Sequence, residues 1–351
     1  MRYHVSIIIL GILSLICIWS CESQPKDTKK STKINGVSLV ASRDAIDSSH
    51  ITPITNVNAN YASVMPFGFI RSLESAEVLY NTDRQWRGER VDGVTETIKH
   101  LHNANIKVML KPQIWISRGE FTGDMMMTSE EHWTTLENSY EGFILLYAQL
   151  AQDTNAEWFC IGTELYNFVN ARPKFWSQLI KKIKTIYSGN LTYAENWDKV
   201  DKVTFWNEMD AIGADAYFPI SEDKTPTIKA SRQSWQPWKT TLKNLSDTYN
   251  RPILFTEYGY RSIDYSGNRP WESQREDGKI NHEAQLNLTN ALFKEFWNEP
   301  WFAGGFIWKW FHNHSEVGGM QNNRFTPQNK PVEKLIKEHY QQYSNSLSLK
   351  K

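Results

Sequence analysis

The stretch PILFTEYGY, residues 252–260, decides the fold class of this chain. It begins as a short apolar run, which is typical of a parallel strand buried on both faces, and it ends in a carboxylate among aromatic residues. An unpaired charge inside such a strand is costly, whereas the carboxyl ends of barrel strands open into a cleft that accommodates a glutamate. The stretch therefore predicts a buried parallel strand that carries Glu257 to the mouth of a barrel.

A second stretch, WFCIGTE at residues 158–164, has the same design and ends in Glu164. Short apolar runs of this kind alternate with amphipathic stretches along the chain, which is the signature of a βα architecture. We predict eight strands, at residues 36–41, 61–67, 107–115, 158–164, 191–197, 209–217, 252–260 and 303–310. We predict helices at residues 94–103, 129–152, 173–187, 231–249, 284–297 and 331–343.

Eight strands that alternate with helices predict an α/β fold, a single (β/α)8 TIM barrel, over residues 34–345. The doubly wound alternative requires a glycine-rich phosphate-binding turn after the first strand, and the sequence has none there. The sequence also has no internal repeat that would indicate a second domain. We therefore predict one catalytic or binding cleft, at the carboxyl ends of the barrel strands.

The N-terminal residues predict export and anchoring. Residues 1–20 have a basic start and an apolar run, as in a signal peptide, and the run is too short to span a membrane comfortably. The motif IWSC resembles a bacterial lipobox, with a tryptophan where a small residue is usual, so we expect lipidation of Cys21. Residues 21–33 are polar and lysine-rich, as in a flexible tether. We expect a cell-envelope lipoprotein of the outer membrane, on its periplasmic or cell-surface side, and a plain secretory signal is the alternative.

The composition excludes several classes of function. Lys plus Arg and Asp plus Glu both number 39, so the formal charge is zero and no basic excess favours nucleic acid. Cys160 is the only cysteine of the predicted domain, so that domain has neither an internal disulfide nor a cysteine metal cluster. The 15 tryptophans supply flat apolar faces that suit a sugar-binding cleft. We expect no metal, no cofactor and a monomer.

Side chains alternate along a strand, so residues two apart share a face. Applied to the strands that end in Glu164 and Glu257, this rule places both carboxylates in the barrel mouth. The same rule brings further polar and aromatic side chains to that rim. The residues expected to face inward are Cys160 and Gly162 on the fourth strand, Phe255 and Gly259 on the seventh, Lys111, Gln113 and Trp115 on the third, Gly213, Asp215 and Tyr217 on the sixth, and Phe306, Trp308 and Trp310 on the eighth.

Glycoside hydrolysis requires this mixture of side chains. One carboxylic acid protonates the leaving oxygen, a second carboxylate attacks the anomeric carbon or activates water, and aromatic faces hold the apolar side of the sugar. We interpret Glu164 and Glu257 as that pair, with the separation of about 5 to 5.5 Å that retaining enzymes have. The predicted substrate-binding residues are Trp308, Tyr217, Trp310, Trp115, Asn196, Trp197, Lys111 and Gln113.

Each of these residues also has a purely structural interpretation. A single glutamate at a strand end is often one partner of a rim salt bridge, and a tryptophan or tyrosine there often belongs to the core. We expect the Tyr217 hydroxyl to contact the Glu257 carboxylate, and Asp215 to be a buried structural partner rather than a third acid. The sequence HNH at residues 312–314 has a spacing seen in metal sites, but without a carboxylate pattern nearby we interpret it as a loop.

Five motifs carry a resemblance to a known family. They are KVMLKP at residues 107–112, YAQLA at 147–151, IGTEL at 161–165, LFTEYG at 254–259 and FTPQNKP at 325–331. Together they resemble glycoside hydrolase family 113 of the clan A barrels, over residues 34–343. The resemblance implies a retaining endo-β-1,4-mannanase without a cofactor, with Glu164 as the acid/base and Glu257 as the nucleophile. Many clan A members have asparagine before the acid/base, and this chain has Thr163 there.

Three other functions stay open. A related clan A activity, such as a β-glucanase or β-galactanase, is the nearest, because the sequence does not specify the sugar. A non-catalytic surface glycan-binding lipoprotein is the second, although two carboxylates argue against it. A purely structural envelope lipoprotein would not explain aromatic residues gathered at strand ends. The partners that we expect are a β-linked polysaccharide or oligosaccharide and the lipid anchor.

Overall fold

The structure is a computed structural model that describes residues 33–273 and 278–344. The predictions of a signal peptide over residues 1–20 and of lipidation at Cys21 lie outside the described residues, as does the tether up to residue 32. The described chain forms ten strands, β1 (Ile34–Leu39), β2 (Tyr61–Val64), β3 (Phe67–Ile70), β4 (Lys107–Leu110), β5 (Gln113–Ile116), β6 (Trp158–Thr163), β7 (Asn190–Asn196), β8 (Ile212–Asp215), β9 (Ile253–Tyr258) and β10 (Phe302–Trp310).

Eight of these strands pair in parallel and close into a barrel, in the order β1-β2-β4-β6-β7-β8-β9-β10. Helices connect them on the outside, and the predicted (β/α)8 TIM barrel is confirmed. The helices are α1 (Ser48–Asn56), α2 (Val91–Asn103), α3 (Glu130–Thr154), α4 (Tyr166–Ala171), α5 (Pro173–Ile186), α6 (Ile228–Tyr249), α7 (His282–Phe296) and α8 (Pro331–Ser344). The sequence analysis did not predict α1 and α4. Over the described ranges, every helix is too short or too polar to cross a membrane.

The first barrel strand begins at Ile34, and the residue before it is already packed against the barrel. Lys33, assigned above to the tether, is buried, and its ammonium donates hydrogen bonds to the backbone carbonyls of Glu299, at 2.6 Å, and Phe302. Burial lowers the pKa of this lysine to about 8, against the opposing charge of Glu299. The lysine just before β1 therefore connects the beginning of the first barrel strand to the beginning of the last one.

Prolines divide the predicted second and third strands. Pro66 separates β2 from β3 and Pro112 separates β4 from β5, because proline has no N–H to donate to a continuous ladder. The outer halves, β3 and β5, pair with each other as a two-stranded parallel sheet beyond the barrel rim. Gln113 and Trp115 therefore lie on this small sheet rather than on a barrel strand.

The helix ends follow local sequence signals. Ser129 accepts a backbone hydrogen bond at the start of α3, and Thr227 does so at the start of α6. Both helices end at an asparagine in the left-handed conformation, Asn155 and Asn250, which tolerates that conformation better than most residues. Pro173 occupies the first turn of α5, as predicted. The caps therefore determine where α3 and α6 begin and end.

A small cluster of side chains fills the barrel interior, separate from the larger core between barrel and helices. Its members are Ile34, Met109, Trp158, Cys160, Ala194, Ala211, Leu254 and Phe306. The Phe306 ring lies against Gly36 on the neighbouring strand, where a Cβ atom would overlap the ring. The glycine of β1 is therefore required by the volume of the phenylalanine beside it.

Strand pairing becomes irregular toward the carboxyl end of the barrel. Register shifts occur along β6 after Cys160, between β8 and β9 after Ala214, and between β1 and β10 after Val37. A residue added to one strand of a pair changes which side chains face inward beyond that point. The simple alternation rule therefore fails at the rim of the barrel.

Three positions that alternation predicted to face inward instead face the helices. A side chain at Gly162 would meet Trp176 of α5, and Phe255 packs on Phe296 of α7, with ring centroids 4.9 Å apart. Trp310 is fully buried in the outer core. Its prediction as a substrate-binding residue is wrong, because the register shift in β10 leaves the indole no surface for a sugar.

We expect Gly36→Ala to lower the free energy of unfolding by about 1–3 kcal/mol, the usual effect of overpacking a close-packed interior. Urea unfolding followed by tryptophan fluorescence measures this change. Phe306→Leu removes the ring that the new methyl group would overlap, so the double variant should be less destabilised than the sum of the single variants. Strictly additive effects would show that the two residues do not compete for space.

Candidate active site

The Glu257 carboxylate accepts three hydrogen bonds at the barrel mouth. Its Oε1 accepts from the Lys111 ammonium at 2.5 Å and from the Gln113 side-chain amide at 2.9 Å. Its Oε2 accepts from the Tyr217 hydroxyl at 2.8 Å, which is the contact expected from the sequence. The donors come from the β4–β5 junction, from β5 and from the loop after β8. Because both oxygens act as acceptors, the surroundings suit a carboxylate held in one orientation.

Lys111 and Asp215 form the charged base of the site. The Lys111 ammonium lies 3.1 Å from the Asp215 carboxylate, which also accepts from the Thr256 hydroxyl at 2.7 Å. Burial alone would lower the pKa of Lys111, but the charges of Asp215 and Glu257 raise it above its ordinary value. Burial and the Glu257 charge raise the pKa of Asp215 to about 7 against these bonds. The lysine therefore serves as a shared counter-ion.

Glu164 enters the mouth from the end of β6 in an unusual backbone conformation. Its φ is +52°, in the left-handed region that non-glycine residues rarely adopt. Its N–H donates to the Ala194 carbonyl at 2.8 Å, and its own carbonyl accepts from the Thr122 hydroxyl at 3.0 Å. Burial raises the pKa of Glu164 well above its ordinary value, and the charges of Asp215 and Glu257 raise it further. These surroundings therefore favour the protonated form of the Glu164 carboxyl group.

The predicted substrate-binding tryptophans differ in exposure. Trp115 is 49 % exposed on the small sheet, and its ring lies nearly perpendicular to that of Phe67. Trp308 is half-buried at the end of β10, and the Lys309 ammonium lies 5.3 Å from its ring centroid. Trp197 is half-buried and stacks on the exposed Trp271, with centroids 5.4 Å apart. These three indoles are at least partly exposed, unlike Trp310.

The predicted polar substrate-binding residues also differ in exposure. Asn196 is half-buried at the end of β7, and its side-chain oxygen accepts from the backbone N–H of Trp197 at 3.0 Å. Gln113 is buried and directs its amide toward Glu257. Lys111 is fully buried, so the prediction that it contacts the sugar directly is wrong, since an ammonium with no exposed surface has none to offer. Its contribution to the site is electrostatic.

Sequence reasoning missed Glu195, a third carboxyl group near the mouth. It is fully buried on β7, where its two oxygens accept from the Tyr193 hydroxyl at 3.0 Å and from the Asn196 N–H at 2.9 Å. Burial raises its pKa to about 7 against these two bonds. The signal was present in LTYAEN, residues 191–196, where a glutamate interrupts an apolar strand just as Glu164 and Glu257 do.

Over residues 33–273 and 278–344, the His, Cys, Asp and Glu side chains form no group of three or more that is arranged to hold a metal ion. The two histidines of the predicted loop at residues 312–314 point to different partners. His312 lies 3.4 Å from the Ser42 hydroxyl, and His314 lies 2.6 Å from the Glu333 carboxylate. Their spacing in sequence therefore does not correspond to a shared ligand.

The arrangement places two carboxyl groups in different surroundings near the same buried lysine. Glu164 is surrounded so that it favours the protonated form, whereas Glu257 is held by a cation and two neutral donors. The strands that carry them, β6 and β9, are separated in the barrel by β7 and β8. Two carboxyl groups in unlike surroundings, with partly exposed tryptophans at strand ends, include the types of group that glycosidic bond cleavage requires.

We expect the Glu195→Gln substitution to change how stability depends on pH. The carboxyl has an ordinary pKa of 4.5 and a folded-state pKa of about 7, so the unfolded chain releases this proton first as the pH rises. The wild-type protein should therefore lose stability from this group between those two pH values, and the amide cannot titrate. As the pH rises from 4.5 to 8, the free energy of unfolding of the variant should increase by about 1–3 kcal/mol relative to that of the wild type.

Urea unfolding at a series of pH values measures this difference. The control is Glu338→Gln, because Glu338 lies exposed on α8. A free-energy difference between Glu195→Gln and wild type that does not vary with pH would contradict the raised pKa.

Comparisons with known proteins agree with this geometry. The family model described as Glycoside Hydrolase Family 113 matches residues 41–330. The β-mannanase of this family from Alicyclobacillus acidocaldarius, solved in complex with ManMIm, has a TM-score of 0.78 at 22% identity, and the match covers 90% of this chain and 99% of that chain. A second structure, described as a complex of a family 113 β-1,4-mannanase, has a TM-score of 0.76 at 22% identity, with 88% and 99% covered.

A β-glucuronidase from Ruminococcus gnavus matches more remotely, with a TM-score of 0.56 at 12% identity over 88% of this chain and 49% of that chain. The comparison with curated proteins gave no match. At these identities the structural matches establish the barrel fold, and the family model, which matches most of the sequence, establishes the family. The chain is a glycoside hydrolase and belongs to glycoside hydrolase family 113.

Proposed function

We propose that this glycoside hydrolase cleaves β-1,4-mannosidic bonds in mannan-type polysaccharides or oligosaccharides, with retention of configuration at the anomeric carbon. The observation that carries the proposal is the unequal pair of carboxyl groups at the barrel mouth. Glu257 accepts bonds from Lys111, Gln113 and Tyr217, and Glu164 lies where burial and neighbouring charge raise its pKa. The names of the similar family 113 structures, which are β-mannanases, support the choice of sugar.

In the proposed mechanism, Glu257 attacks the anomeric carbon while the Glu164 carboxyl gives its proton to the departing glycosidic oxygen. The products of this step are the free leaving sugar and a glycosyl ester of Glu257. Glu164, now a carboxylate, takes a proton from water, and the resulting nucleophile attacks the same carbon and releases Glu257. Two inversions give net retention. Lys111 and Tyr217 hold the nucleophile in place throughout, and Trp308 supports the sugar ring.

A panel of polysaccharides tests the proposal. The soluble domain is incubated with β-mannan, glucomannan, cellulose and β-galactan, and the released oligosaccharides are identified. We expect release from mannan and glucomannan, and NMR of the first products should show the β-anomer before mutarotation. Release from cellulose or galactan alone would favour the other clan A activities. Binding to a glycan without any release of reducing sugar would favour the non-catalytic lipoprotein.

Replacement of the two carboxyl groups should have different chemical consequences. Glu257→Ala should lower turnover of β-mannan by more than about 10³-fold, because the covalent intermediate cannot form. Glu164→Ala should lower it by about 10²- to 10⁴-fold, but it should affect dinitrophenyl β-mannosides much less, because that leaving group needs no proton. The control is Glu338→Ala on the exposed face of α8, which should leave turnover unchanged.

Added azide separates the two roles. Azide needs no general base, so with Glu164→Ala and an activated substrate it should capture the intermediate and give the β-glycosyl azide. With Glu257→Ala it should instead replace the missing carboxylate and give the α-glycosyl azide. An α-azide from Glu164→Ala and a β-azide from Glu257→Ala would show that the two roles are exchanged. A β-azide from both variants would refute Glu257 as the nucleophile.

We also propose, from the sequence alone, that the protein is anchored in the cell envelope through a lipid on Cys21. The expected result is that wild-type protein labels with palmitate and fractionates with membranes, whereas Cys21→Ser does neither. Cys160→Ser is the matched control, because Cys160 is buried in the barrel interior, and it should behave as wild type. Membrane association that survives Cys21→Ser would refute the anchor.

A further inference from the structure

Three consecutive residues of β7 hold the backbone on both sides of Glu164. The Ala194 carbonyl accepts from the Glu164 N–H at 2.8 Å, and the Tyr193 hydroxyl accepts from the Leu165 N–H, also at 2.8 Å. The same hydroxyl lies 3.0 Å from a carboxylate oxygen of Glu195. With the Thr122 bond to the Glu164 carbonyl, both peptide planes that flank the Glu164 Cα are fixed.

The direction of these bonds is determined by the chemistry of the groups. A tyrosine hydroxyl has one proton, and its oxygen must accept from the Leu165 N–H because a backbone N–H can only donate. Its own proton therefore goes to Glu195, whose other oxygen is fixed by the Asn196 N–H at 2.9 Å. The carboxylate thereby turns the hydroxyl lone pair toward Leu165.

Fixing these planes matters because Glu164 has a positive φ. A non-glycine residue with a φ of +52° is held there by its surroundings, since the left-handed region is unfavourable for most side chains. The orientation of the Cα–Cβ bond follows from the two peptide planes, so any relaxation of the 164–165 peptide would swing the carboxyl group away from its position in the mouth.

Glu195 and Tyr193 have no access to a substrate. Both are fully buried, and the Tyr193 ring packs against Trp176 and Phe205 in the outer core. Apolar side chains of similar size would fill the same space. Burial of a carboxyl group is unfavourable unless hydrogen bonds compensate it, so the hydrogen bonds of Glu195 point to a further role. The use visible here is the orientation of one hydroxyl toward the peptide that follows Glu164.

We propose that Tyr193 and Glu195 are positioning residues, a bracket that aims the Glu164 carboxyl at the leaving-group oxygen. The inference rests on the proposed role of Glu164 as the acid. A bracket of this kind should matter most when proton transfer to the leaving group limits the rate, because that step depends on where the carboxyl proton lies.

The experiment compares Tyr193→Phe with wild type on two substrates, β-1,4-mannotetraose and dinitrophenyl β-mannobioside. The measured value is kcat/KM, which reports the glycosylation step. The variant keeps the buried ring and loses only the hydroxyl. We expect kcat/KM to fall about 10- to 100-fold on mannotetraose and by less than about threefold on the dinitrophenyl glycoside, because misplacement of the acid affects only the leaving group that needs a proton.

The matched control is Tyr187→Phe. Tyr187 is also buried, and its hydroxyl donates to the Ala156 carbonyl at 2.7 Å, before β6 and away from Glu164. The Tyr187→Phe variant loses an equivalent buried hydrogen bond. It should therefore lower the melting temperature about as much as Tyr193→Phe does, without changing the ratio of kcat/KM on the two substrates. Glu195→Gln keeps one acceptor and should change the ratio in the same direction as Tyr193→Phe, by a smaller factor.

An equal fall on both substrates, or a ratio changed as much by the control, would overturn the bracket. Failure of the proposed function looks different, because wild type would then not cleave β-mannosides, and the same ratio would be measured with the sugar that it does cleave. Amide exchange of Leu165 gives a readout without any substrate. It should be accelerated at least about tenfold in Tyr193→Phe and unchanged in Tyr187→Phe, and an unchanged rate in both would also refute the bracket.

Discussion

A buried ammonium group, that of Lys111, connects opposite sides of the barrel mouth. It follows β4, and its partners Asp215 and Glu257 lie on β8 and β9, at 3.1 and 2.5 Å. Loss of one partner from a buried ion pair typically destabilises a protein by about 3–5 kcal/mol, because a charge is left without compensation. The ion pair that positions Glu257 therefore also contributes to the stability of the closed barrel.

The shared cation also sets the electrostatics of the other carboxyl groups. Lys111 divides its charge between two carboxylates, so a buried carboxyl nearby is not compensated by it to the same extent. Burial and the charges of Asp215 and Glu257 raise the pKa of Glu164, and burial raises that of Glu195 to about 7. The acidic groups of one site are thus held in different surroundings, and such differences separate the acid from the nucleophile in the proposed mechanism.

Sequence patterns predicted the architecture and the two central carboxylates because both depend on local features. An apolar run that ends in glutamate is visible in residues 158–164 and 252–260 without any knowledge of pairing. The wrong or missing predictions concern features that contacts between distant segments determine, namely side-chain direction at the rim and ion-pair partners. Register shifts turned Phe255 and Trp310 toward the helices, and no pattern around Lys111 shows that its partners are residues more than a hundred positions away.

Glu195 is a different kind of omission, since its sequence signal equals that of Glu164. The strand-end rule treats a glutamate as a candidate for the cleft, and alternation then assigns it a face. Glu195 shares the outer face of β7 with Tyr193, so the rule in its simple form discards it. It is nevertheless linked through the Tyr193 hydroxyl to the N–H of Leu165, the residue after Glu164. The backbone around Glu164 thus has hydrogen bonds from the outer core as well as from the mouth.

In the proposed double displacement, the same charges that keep Glu164 protonated also change its state between the two steps. Formation of the glycosyl ester removes the negative charge of Glu257, which is one of the charges that raise the pKa of Glu164. The pKa of Glu164 then falls, and the residue that gave a proton becomes able to accept one from water. Asp215 keeps its place beside Lys111 through both steps, so the fall is partial and Glu164 remains basic enough to take that proton.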